Sequence, residues 1–79
     1  TLSYMEQLLK IKKEIGDKRG MANAYNKMGI IYTNQSNSKQ ALSYYQRALK
    51  IREKIGYKRG VADSYNKIGI IYKNQVRTL

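Results

Sequence analysis

Slid along itself by about 40 residues, the sequence aligns with no gap, and about half of the aligned pairs are identical. Ile15-Gly16-Asp17-Lys18-Arg19-Gly20 returns as Ile55-Gly56-Tyr57-Lys58-Arg59-Gly60. Tyr25-Asn26-Lys27-Met28-Gly29-Ile30-Ile31-Tyr32 returns as Tyr65-Asn66-Lys67-Ile68-Gly69-Ile70-Ile71-Tyr72. A period of this length belongs to solenoids, in which one supersecondary unit cannot bury its apolar face alone and stacks on the next. The chain divides into copies at about residues 1–40 and 41–79.

Each copy reads as two helices. Met21, Tyr25, Met28 and Tyr32 are spaced by four, three and four residues, with Ala24 and Ile31 alongside, which traces one helical stripe. Ala41, Tyr45, Ala48 and Ile55 trace a second, flanked by Leu42, Leu49 and Ile51. Neither segment contains Pro or alternates as a strand would. Four helices are expected, near 2–15, 18–35, 38–55 and 58–75. Val76 to Leu79 fall in the slot of the Ser36-to-Lys39 turn, where no helix is expected to continue.

The residues between the stripes agree with this division. Gly16 and Gly56 follow the last apolar residue of a helix, a position often left-handed that Gly enters freely. Asp17 is placed to cap the next helix; Tyr57, its counterpart, has no acceptor in reach, so that helix start is expected to fray more. Ser36-Asn37-Ser38 is a short polar turn with Ser38 as the expected cap. Links this short force antiparallel neighbours.

Tyr25, Met28, Gly29 and Tyr32, again as Tyr65, Ile68, Gly69 and Tyr72, followed by the small–aromatic–small series Ala41, Tyr45 and Ala48, resemble the tetratricopeptide repeat family over essentially the whole chain. Gly inside a helix costs about 1 kcal/mol, so close packing is expected at Gly29 and Gly69. The resemblance implies an all-α fold of antiparallel helix hairpins stacked as an α-α superhelix. This period exceeds the usual repeat of about 34 residues and lacks its terminal Pro, as in the long-helix subgroup. Thr1 in place of Met reads as a processed chain or a piece of a longer array.

The resemblance also implies a function. In the family the first helix of each hairpin lines a concave groove that binds protein or peptide. Carried over, the groove positions are Asn23, Asn26, Lys27, Ile30, Thr33 and Asn34, with Asp63, Asn66, Lys67, Ile70, Lys73 and Asn74 in the second copy. Asn donates and accepts, which suits the backbone of an extended peptide. Lys27, Lys67 and Lys73 favour an acidic residue on the partner. The plainer reading, a solvated polar face, stays open. One subtype grips a terminal carboxylate with a Lys before the motif Gly and an Asn just after it. Asn26, Asn66, Ile30 and Ile70 occupy those slots here, so that clamp is not expected.

A formal charge of +11 is large for 79 residues. Lys10, Lys12 and Lys13 return as Lys50, Arg52 and, shifted by one, Lys54, and Lys18-Arg19 return as Lys58-Arg59. Stacked copies would line these up as a basic ridge. Such a ridge fits nucleic acid or another anionic surface, and it also fits nothing more than solvated helix faces. Five tyrosines sit at core positions of the motif, leaving mainly Tyr4, Tyr44 and Tyr57 to stack on bases.

Catalysis is not expected. With no His and no Cys, the commonest general base, the thiol nucleophile and most transition-metal sites are gone. Glu6, Glu14, Asp17, Glu53 and Asp63 show no pairing for acid/base work, and no cofactor is implied. The absence of Cys and of any long apolar run suits a cytoplasmic protein. Two copies with no polar cap leave apolar ends, and parts of Tyr65, Ile68, Ile71 and Tyr72 are expected to lie uncovered. The chain is therefore expected to self-associate, by end-to-end stacking or by exchange of helices.

Overall fold

A computed structural model describes residues 2–78, with side-chain surroundings for residues 3–74. Four helices follow one another: α1 (Leu2–Glu14), α2 (Lys18–Asn34), α3 (Ser38–Lys54) and α4 (Lys58–Thr78). Each packs mainly on its sequence neighbours, α2 against α3 most extensively, in a slab of 43 × 28 × 13 Å. None of them is long and apolar enough to cross a membrane.

The turns follow from backbone chemistry. Gly16 and Gly56 are left-handed, with φ of 74° and 73°. After each, the next backbone N–H reaches back to close the helix, Asp17 N to Lys12 O at 2.9 Å and Tyr57 N to Arg52 O at 3.0 Å. The turn after α2 uses the same closure with Ser36 at φ 61° and Asn37 N donating to Tyr32 O at 2.9 Å. The α3 cap is Asn37, not Ser38: its side-chain oxygen accepts from Gln40 N at 3.3 Å, and Ser38 is already the first helical residue. Asp17 caps α2 as expected, accepting from Gly20 N at 2.9 Å.

The end of α4 departs from expectation. Where Ser36-Asn37 turn the chain in the first copy, Val76-Arg77 stand in the second, and the helix runs on to Thr78. A β-branched residue is poorly suited to the left-handed conformation Ser36 takes, and Arg offers no capping acceptor. Leu79 lies outside the described residues.

Two clusters form the core. Met5, Ala24 and Met28 join α1 to α2, with Leu8, Leu9 and Ile31 packed on them. Ala41, Tyr45 and Ile71 join α3 to α4, with Tyr32, Leu42 and Ile68 around them. Ile71, expected to be partly open, is buried at 3 % exposure because it faces α3 rather than the outer side of α4. Tyr44, read as free for other work, lies between two rings of α2. Its centroid is 5.4 Å from that of Tyr32 and 6.0 Å from that of Tyr25.

Candidate binding groove

α2 and α4 each lie against α3, and their exposed faces meet over it. Ile30, Thr33 and Asn34 of α2 and Lys67, Ile70 and Ile71 of α4 surround a cavity of about 280 Å³, with the Tyr45 side chain of α3 between them. Ile30 and Ile70 are copies of each other and stay 37 % and 47 % exposed. Tyr45 is buried, and its hydroxyl lies 3.5 Å from Thr33 Oγ1, which itself donates to Gly29 O at 2.8 Å. The cavity thus has apolar walls and a polar edge. Lys67 Nζ stands 3.6 Å from Asp63 Oδ1, one helical turn earlier on α4.

Beyond Asp63 the two helices are tied by Arg52, which reaches across from α3. Its Nη2 donates to Asn23 Oδ1 of α2 at 3.2 Å. Its Nη1 donates to Ser64 Oγ at 2.8 Å and Gly60 O at 3.2 Å, and lies 3.5 Å from Asp63 Oδ2. The residue is 5 % exposed. A planar fork of donors suits a strut that must hold partners on two helices at once.

A tetratricopeptide repeat family model matches residues 1–54 and again residues 20–75. The chain belongs to the tetratricopeptide repeat family. No curated protein and no solved structure gave a match. Repeats of this family generally mediate protein–protein interaction.

Within this tetratricopeptide pair, the groove positions named from the sequence separate into groups. Ile30, Thr33, Asn34, Lys67 and Ile70 come together around the cavity. Asn23 and Asp63 are engaged by Arg52. Asn26 is half-buried, and its Oδ1 is shut away from solvent with no hydrogen-bond partner. Lys27, Asn66, Lys73 and Asn74 are exposed and lie outside the cavity lining.

Arg52 was read as part of a basic ridge, and its burial removes it from that surface. Lys12, its counterpart, pairs with Asp17 at 3.2 Å, and Arg19 lies over the Tyr57 ring at 4.2 Å. Lys10, Lys13, Lys18, Lys50, Lys54, Lys58 and Arg59 remain exposed. The Asp17 carboxyl is held below its ordinary pKa, first by the Gly20 N–H it accepts and then by Lys12.

Sequence reading missed Arg52 as a strut, although a signal was present. The copies differ at Lys12/Arg52, Asn23/Asp63 and Ala24/Ser64, and in the second copy these three differences meet at one point. Tyr45 was recognised as a core residue but not as part of the cavity.

Proposed function

We propose that this tetratricopeptide pair is a non-catalytic scaffold that holds an extended protein segment in the groove between α2 and α4. The partner would place an apolar side chain in the cavity between Ile30 and Ile70, with acidic residues beside it. The observation that carries this reading is the cavity, in which the copied pair Ile30 and Ile70 stands beside Tyr45 with polar residues at the edge. Lys27 and Lys73, exposed beside the groove, supply the preference for acidic flanks, together with Lys67, which Asp63 neutralises in part.

A binding measurement with synthetic peptides tests it. Peptides with one Leu flanked by Asp and Glu are compared with the same peptides carrying Lys flanks or Ser in place of Leu. Acid-flanked Leu peptides should bind about tenfold tighter than either control. Ile70→Arg, which fills the cavity from an exposed position, should remove that difference. Equal binding of all three peptides would refute the groove reading.

A second reading rests on the opposite feature of the molecule. The Arg19–Tyr57 contact brings the α1–α2 and α3–α4 turns to one edge, where Lys13, Lys18, Lys54, Lys58 and Arg59 are exposed. That edge suits an anionic surface such as nucleic acid. Its signature is affinity that falls steeply with salt and is lost in Lys54→Glu/Lys58→Glu but not in Ile70→Arg.

A further inference from the structure

Three helices meet in two layers along the groove. In one layer, Ile30 of α2 and Ile70 of α4 stand on either side of Tyr45 of α3, around the open cavity. In the other, Asn23 of α2 and Asp63 of α4 stand on either side of Arg52 of α3, whose guanidinium reaches both. On each helix the members of the two layers are two turns apart, about 10 Å along the axis. The layers therefore share the same three helix faces. One is apolar and open, the other polar and closed.

The closed layer joins the two walls. α2 and α4 pack mainly on α3 rather than on each other, so side chains of α3 set the gap between them. Tyr45 fills part of that gap, and Arg52 bonds both of its sides: Nη2 donates to Asn23 on one, Nη1 to Ser64 and Gly60 on the other. Gly60 clears the path of the side chain, since an added Cβ there would stand 2.8 Å from Arg52 Cδ. Lys12 takes the same path over Gly20 in the first copy, but its ammonium ends on Asp17 in the adjoining turn. The longer planar group carries the contact on to another helix. Arg52 Nε is buried with no hydrogen-bond partner, so the charge is kept there at a cost that an apolar core residue would not carry.

We infer that Arg52 is a positioning residue for the groove: by holding α2 and α4 at a fixed separation, it sets which side chain the Ile30–Ile70 cavity accepts. A gap held at its working width is ready for a partner, whereas a loose one must be ordered on binding and fits several side chains about equally well. Arg52 itself is 5 % exposed and acts through the helices it ties, without touching the partner. The selectivity rests on the groove reading; the fixed separation rests on the strut alone.

Two measurements test it. Nitroxide labels at Lys27→Cys and Asn66→Cys, exposed positions outside the cavity lining in a chain with no other Cys, report the distance between α2 and α4. Acid-flanked peptides with a central Ala, Leu or Trp report selectivity in chains without labels. Ser64→Ala cuts an anchor on α4 at a fully buried site that no peptide touches, and places there the residue the first copy carries. Arg52→Lys keeps the charge and loses the fork. Both should broaden the distance distribution and narrow the preference for Leu, with Leu-peptide binding weakened about threefold by Ser64→Ala and about tenfold by Arg52→Lys. Leu8→Ala, which weakens the core between α1 and α2, should leave distance and preference as they were. Unchanged distances in Ser64→Ala and Arg52→Lys would overturn the inference. So would equal loosening in Leu8→Ala, or a Leu preference that survives a broadened gap. An unaltered chain that binds none of the peptides would overturn the groove reading and the selectivity drawn from it, a failure that the distances tell apart from failure of the strut.

Discussion

The Tyr45 ring lies so close to Gly29 that a Cβ built on the glycine would stand 2.6 Å from its Cε1 atom. Gly29 is therefore required by contact, and the helix gives up propensity to let the ring in. Gly69 is its copy in sequence and meets nothing. The two glycines should respond oppositely to the same change. Gly29→Ala should destabilise by about 1–2 kcal/mol, an overpacking cost of about 1–3 offset by ~1 of helix propensity. Gly69→Ala should stabilise by about 1 kcal/mol. Urea unfolding at low protein concentration measures both.

Arg52 should be the most sensitive polar residue. Removing a buried, hydrogen-bonded charge leaves Asn23, Ser64 and Asp63 facing a gap. Arg52→Ala should cost about 3 kcal/mol or more. Arg52→Lys should recover only part of this, since one ammonium cannot span two helices as the fork does. Asp63, 42 % exposed at its side chain, should matter less, with Asp63→Asn costing under about 1 kcal/mol.

The helix pattern, the paired packing and the glycine closures of α1 and α3 were legible in the sequence because each is a local or periodic signal. The finer points were not. Asn37 and Ser38 both have capping side chains, and only the backbone path, with Ser36 at φ 61°, decides between them. The long α4 depends on Val76 and Arg77 failing to turn, which an alignment to the first copy hides. In the groove, the copied Ile30 and Ile70 were identifiable by family position. Arg52 looked like one more exposed cation because burial comes from three dispersed partners, Asn23, Gly60 and Ser64.

The left-handed turn positions offer a test free of side-chain contacts. A non-glycine residue in that conformation costs about 1–2 kcal/mol. Ser36→Gly should therefore stabilise by about 1 kcal/mol. Gly16→Ala, where a Cβ meets nothing within 4 Å, should destabilise by a similar amount through the backbone alone. Thermal unfolding of the two variants measures the difference.

Asp17 should make the chain acid-sensitive. Its pKa is lowered by the Gly20 N–H and by Lys12, so the folded chain binds its proton less readily than the unfolded one. The stabilisation is complete above the unfolded pKa of about 3.9 and is lost as pH falls through the lower folded value. Asp17→Asn keeps a capping oxygen that does not titrate. Its midpoint should change less than that of the unaltered chain between pH 5 and pH 2, while the two run parallel above about pH 5.

The groove is tested most directly by backbone amide NMR during titration with an acid-flanked Leu peptide. Saturable shifts should concentrate at Ile30, Asn34, Lys67 and Ile70, with little change at Lys54, Lys58 and Arg59. Shifts confined to those basic residues, or none that saturate, would contradict the account.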